Sequence, residues 1–151
     1  MSERDDFLES VLPRLIETDT AFHNGDPNPR LTLWSENDPV TLFGAALTAT
    51  GWKETASAFQ WLAEGFSDCE SFQYEVIAAD ASGDLAYIVG MEHTTASVRG
   101  ASPEPYVLRV TTIFRREDGD WKVVHRHGDP VPESASARDQ LSRMVGEDRE
   151  P

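Results

Sequence analysis

The stretch from Val107 to Asp129, VLRVTTIFRREDGDWKVVHRHGD, constrains the fold more than any other part of the chain. Two alternating apolar and polar runs flank an Asp-Gly turn signal, the pattern of an antiparallel hairpin with one buried face. The two-residue side-chain period of a strand sets Arg109, His125, His127 and Asp129 at alternate positions. A few polar groups can therefore converge on one face of a sheet.

The register of that hairpin decides which groups meet. If Asp118-Gly119 is a two-residue loop, Glu117 faces Asp120, Val110 faces His127, and Arg109 goes to the opposite face. If Glu117-Asp118-Gly119 is a three-residue loop with glycine in the left-handed position, Arg116 faces Asp120 and Arg109 faces His127. The second is expected, because a third-position glycine suits a type I turn with a bulge. It pairs Ile113 with Val123 and leaves Lys122 and Arg126 together on the other face. Trp121, Val123, His125, His127, Arg109 and Thr111 then share a face that ends at Asp129.

Upstream of the hairpin the apolar period changes. Phe7, Leu8, Val11, Leu12, Leu15, Ile16 and Phe22 recur at three- and four-residue steps, predicting a helix from about Asp5 to His23, with Pro13 as a potential kink. Asn24-Gly25 ends it, and Asp26 with Pro27 and Pro29 starts a short second helix through Leu31, Leu33 and Trp34. Val40 to Phe43 reads as a short strand. Trp52, Ala56, Phe59, Leu62, Ala63 and Phe66 mark a third helix over Gly51 to Phe66. Strands follow at Phe72 to Ala79, Leu85 to Val98, Tyr106 to Arg116 and Trp121 to His127, separated by turn-forming residues. Helices followed by a meander describe a segregated α+β layout, a curved antiparallel sheet wrapped on helices with a cavity at its open end.

The 151 residues suffice for one domain, expected over residues 1–132 with a polar C-terminal tail over 133–151. Twenty-seven acidic against 13 basic side chains give a formal charge of −14, which repels phosphate backbones and anionic headgroups and argues against nucleic-acid or membrane partners. Cys69 is alone between Asp68 and Glu70, so neither an intramolecular disulfide nor a cysteine metal cluster can form. The absence of a basic, apolar leader and of a long apolar run predicts a cytoplasmic protein.

Three segments carry a family resemblance: Gly83 to Tyr87 opening a strand, Leu108 to Thr111, and Arg116 to His127. On these the chain resembles the nuclear transport factor 2-like superfamily, in particular its SnoaL-like, ketosteroid-isomerase-like members, over about Asp5 to Pro132. The last segment also resembles the end of the association domain of calcium/calmodulin-dependent protein kinase II. The resemblance implies a cone-shaped fold and a function drawn from isomerases, dehydratases, cyclases, epoxide hydrolases or non-catalytic binding and assembly modules. Ketosteroid isomerases carry a base aspartate on the strand after the second helix. Val40 to Gly44 has no carboxylate and Asp38 lies in a turn, so the steroid reaction is disfavoured.

The residues themselves nominate a site. His127 beside Arg109 would be held neutral, suited to carrying a proton, with Arg109 stabilising an anion. Asp19 on the apolar stripe of the first helix and Glu92 in a mostly apolar strand must be paired, hydrated or aimed into a cavity. Either can act as a second acid or base; the alternative is an ion pair with Arg109 or an exposed edge. Trp34, Phe43, Trp52, Phe59, Tyr74, Tyr87, Thr111 and His125 are the expected pocket lining, although aromatics at such spacings also serve as plain core. His125 and His127 would chelate zinc only if Glu92 or Asp129 converged on them, so no metal and no cofactor are expected. His23, at a helix end, reads as a partner for C-terminal carbonyls. The expected partners are a small, partly apolar organic ligand and a second copy docked through the outer sheet face.

Overall fold

The computed structural model describes residues 2–131 and 143–144, so the expected tail and the domain boundary at Pro132 lie outside the described residues apart from that dipeptide. Helix α1 (Glu3–Phe22) starts at Ser2, whose hydroxyl accepts the Asp5 N–H at 3.1 Å, and three carboxylates occupy its first turn. Its apolar stripe buries Phe7, Val11, Leu15 and Phe22, and Pro13 does not divide it. Helix α2 (Asn28–Leu33) follows a turn in which Asp26 Oδ1 accepts the Asn28 N–H at 3.0 Å. Helix α3 (Trp52–Glu64) starts at Gly51, which has no side chain to cap it. Asp38 does so from a distance, accepting the Trp52 N–H at 2.8 Å. That contact gives Asp38 a structural task.

Six strands form one curved, open sheet: β1 (Thr41–Phe43), β2 (Thr48–Thr50), β3 (Phe66–Ser82), β4 (Leu85–Val98), β5 (Glu104–Glu117) and β6 (Asp120–Pro130). The order is β2-β1-β6-β5-β4-β3. The sheet is mixed, because β1 runs parallel to β6 while every other pair is antiparallel. Strand β2 has no counterpart in the sequence reading, since three residues are too few for a period to show. Strand β3 begins six residues earlier than expected, and its two register shifts, at Ser67/Ser71 and Val76/Ala78, help it bend.

The helices fill the concave face. Phe7 meets Phe114 and Trp121 edge-on at 5.0 and 5.1 Å, and Trp34 meets Phe59 at 4.9 Å. Ala86, Ile88, Glu92, Thr94 and Ala96 of β4 point into that layer, whereas Leu85, Tyr87 and Val89 point out of it.

The final hairpin departs from expectation twice. Glu117 pairs with Asp120, so the loop is the two-residue Asp118-Gly119, with φ of 51° and 84°. Positive φ at both positions is a type I′ turn, whose twist matches that of the strands it joins. Farther along, Phe114 pairs with Val123 but Ile113 pairs with His125, leaving Val124 as a bulge. One extra residue exchanges the faces of everything beyond it. Trp121 and Val123 face the core, then Arg126 takes the inner face while His125, His127 and Asp129 move outside. Arg126 and Lys122 are thereby separated rather than paired.

Candidate functional site

The bulge turns the histidines of β6 outward, so the cluster that the alternation suggests assembles away from the helix-covered face. Arg109 and His127 do share a face, but it is the convex one. Arg109 makes a forked ion pair with Asp129 at 2.9 and 2.9 Å and is half exposed. His127 lies edge-on to Phe43 at 5.6 Å, and His125 bonds Thr41 at 2.7 Å. Arg109, Thr111 and His127 border only a shallow outer depression of about 310 Å³. Phe43 and Tyr87 are exposed on this side as well. Glu92 lies on the opposite face and cannot join the two histidines. Among the described residues no three histidine, cysteine or carboxylate side chains are grouped to hold a metal.

A larger cavity, about 480 Å³, opens at the wide end of the cone between the end of α1, α2, α3, the β1–β2 loop and the inner faces of β4, β5 and β6. Leu42, Phe59, Leu62, Phe66, Ala96 and Leu108 make most of its wall, and Gly44 to Leu47 rims its mouth. Six polar side chains interrupt the apolar lining: His23, Arg30, Ser102, Glu104, Tyr106 and Arg126. Of the residues expected to line a pocket, Phe59 is a wall here. Trp34 is buried in the core beneath it, and Trp52 packs half-buried on the core away from the lining.

Behind the polar lining stand Asp19 and Glu92, both buried. Arg126 grips Glu92 with two hydrogen bonds of 2.6 and 2.8 Å, and Arg30 Nη2 donates to Asp19 Oδ1. The partner of Glu92 is therefore Arg126, and Arg109 takes no part. Burial pushes the Asp19 carboxyl up to about 6, aided by the nearby Glu92 charge and opposed by Arg30 and Arg126. Burial would also raise Glu92, but Arg126 outweighs it and holds Glu92 below the usual carboxylate range. Between this cluster and the core lies a void of about 10 Å³ touching Thr18, Asp19, Arg30, Thr112 and Arg126. The Tyr74 hydroxyl is buried without a hydrogen-bond partner among the described residues.

The sequence reads His23 only as a partner for helix C-terminal carbonyls; it makes such a contact and also lines the chamber. Its Nδ1 lies 2.8 Å from the Asp19 carbonyl, which can only accept, so Nδ1 carries the proton. Nε2 is then free to accept from the Tyr106 hydroxyl, its second partner. Burial lowers His23 to about 4, so the ring is neutral at pH 7, and burial raises Tyr106 to about 12. The signal existed in the sequence: His23 sits four residues after Asp19, on the same helical face, and both belong to the stripe carrying Leu15 and Phe22. Arg30, Tyr106 and Arg126 carried no comparable signal, because their placement depends on α2 packing and on the bulge.

The SnoaL-like domain family model matches residues 15–132 of the chain. No functionally curated protein matches it. In fold, the chain is similar to a candidate dehydratase of the NTF2-like family from Streptomyces avermitilis, with a TM-score of 0.68 and 19% identity, covering 85% of this chain and 99% of that one. It is also similar to a candidate calcium/calmodulin-dependent protein kinase type II association domain from Thiobacillus denitrificans, at 0.67 and 16%, covering 82% and 96%. A candidate ketosteroid isomerase from Parabacteroides distasonis gives 0.59 and 16%, covering 77% and 83%. At these identities the likeness concerns the fold alone.

Proposed function

The chain belongs to the SnoaL-like domain family, and from that starting point we propose that its wide-end cavity binds a small, partly apolar organic molecule and carries out cofactor-free acid/base chemistry of the isomerase, dehydratase or cyclase type. The observation that carries this reading is the neutral His23 hydrogen-bonded to the Tyr106 hydroxyl in the lining of a mostly apolar chamber of about 480 Å³. Apolar walls supply affinity, and the few polar groups supply orientation. When a ligand oxygen takes the Tyr106 proton donor, Nε2 of His23 is uncovered as an acceptor within the same chamber. A phenol can then support developing negative charge while the imidazole receives a proton.

The roles once given to His127 and Arg109 pass in this proposal to His23 and Tyr106, because only the latter border the chamber. A probe of the chemistry is deuterium exchange at the α-carbon of 2-tetralone in D₂O, followed by NMR. The expected result is protein-dependent exchange that falls on the order of 100-fold in His23→Asn and is blocked by Ala46→Trp, which plugs the mouth from an exposed loop. Exchange equal to that of buffer would sink the catalytic half of the proposal.

A second copy is the other proposed partner. Ile77, Leu85, Tyr87, Val89 and Ile113 are exposed together on the convex side of the sheet, an apolar surface suited to covering by a like surface.

A further inference from the structure

Arg30 differs from Arg126 in one respect that bears on what the chamber accepts. Arg126 spends both terminal nitrogens on Glu92. Arg30, whose side chain is only 7% exposed, donates a single hydrogen bond, from Nη2 to Asp19. Its guanidinium carbon lies over the Phe22 ring, 3.7 Å from the ring centre, and the residue borders the chamber. Among the described residues its other N–H groups have no acceptor. The buried, unpartnered polar side-chain atoms among the described residues are Thr55 Oγ1 and the Tyr74 hydroxyl, so the unspent Arg30 donors are open to the chamber rather than sealed in protein. An acceptor from outside the chain can reach them, and a carboxylate has the matching two-oxygen geometry.

Charge balance adds a condition. Two carboxylates, Asp19 and Glu92, already neutralise Arg30 and Arg126, so a further anion would leave the cluster with an unpaired negative charge out of water. That charge is removed most cheaply by protonating the carboxylate held by a single bond. Asp19 is that group: Arg30 on α2, Arg126 on β6, Glu92 on β4, Tyr74 on β3 and His23 on its own helix surround it. Its already raised proton affinity makes the uptake easy near neutral pH.

We propose that the chamber takes an organic monocarboxylate, its head group on the free edge of Arg30 and its body against Phe59, Leu62 and Leu108, with one proton entering Asp19 as it binds. The proton comes from solvent, the Asp19–Arg30 ion pair is exchanged for a ligand–Arg30 pair, and the total charge of the cluster stays unchanged. This inference rests on the chamber being a ligand site, and it adds the class of ligand and the linkage.

The test is calorimetry on the full chain with 2-naphthoate, 4-phenylbutyrate and octanoate, each beside its own primary amide. The expected result is that at least one carboxylate binds ten or more times tighter than its amide at pH 6.5. Its affinity then weakens about tenfold per pH unit above about 6, as one-proton linkage requires. Titrations in buffers of different ionisation enthalpy should show uptake approaching one proton at pH 8. Asp19→Asn, which imitates the protonated side chain, should remove the pH dependence and tighten binding at pH 8; the buffer titrations on the unaltered protein carry the test should that variant not fold. Amides that bind as well as carboxylates overturn the carboxylate proposal and leave the chamber reading standing. Binding without proton uptake overturns the linkage, and no binding by any compound overturns the chamber reading itself.

Discussion

His23 and Asp19 are neighbours on one helical turn, and burial moves their titrations in opposite directions. The His23 value falls to about 4 from 6.5, so the folded protein binds its proton less readily than the unfolded chain. Its contribution makes the fold lose stability as pH falls through that window. Asp19 rises to about 6 from 3.8, so the folded protein holds that proton more tightly and gains stability as pH falls through 6. Each shift of two pKa units or so is worth roughly 3 kcal/mol, with opposite sign. The pair should therefore leave stability nearly level between pH 6 and 4.5. Glu92, held below 4.5 by Arg126, takes stability away at lower pH. In His23→Gln the Asp19 effect stands alone, and urea unfolding should show stability rising as pH drops from about 6 to 4.5. A variant curve parallel to that of the unaltered protein would refute the assignment.

Among the elements, the middle of β4 governs how closely β3 packs on the sheet. Gly90 pairs with Val76 just before the register shift that frees Ile77, and there β3 approaches too closely for a side chain. A Cβ at position 90 would stand 2.5 Å from the Glu75 carbonyl and 2.7 Å from Tyr74 Cε1. Neither backbone nor a packed ring gives way cheaply, so Gly90→Ala should destabilise the fold by about 2–3 kcal/mol. The measurement is denaturant unfolding. A change below about 0.5 kcal/mol, the range of ordinary surface substitutions, would show that β3 does not need this close approach. The bulge at Val124 acts at the same scale. It turns Arg126 inward to Glu92 and turns His127 outward, so one extra residue selects which strand positions meet the chamber.

For the whole molecule, the opposition is between charge and exposed apolar surface. A formal charge of −14 repels a second copy, while the convex patch around Tyr87, Val89 and Ile113 favours one. Salt screens the first and leaves the second. Sedimentation equilibrium should therefore show a dimer that tightens as ionic strength rises, and Tyr87→Glu should shift it toward monomer without changing the unfolding midpoint of the monomer. A monomer at every salt concentration would dispose of the dimer. No helix among the described residues is long and apolar enough to cross a membrane.

Period and punctuation in the sequence determined the three helices, the long strands and the α+β class, because those signals are local and repeat over many residues. The same stripe marked Asp19 as a buried carboxylate needing a partner, and alternation marked Glu92. Only the tertiary structure decided who those partners are. Arg30 reaches Asp19 through the packing of α2 on α1, and Arg126 reaches Glu92 through a bulge whose location no local pattern announces. The hairpin register turned on a choice between two loops that the same residues Glu117, Asp118 and Gly119 permit, and strand twist selected the tighter one. A one-residue difference inverts a strand face, so the pocket wall read from Arg109 and His127 became an outer surface. The chamber formed instead around a histidine at the end of the first helix.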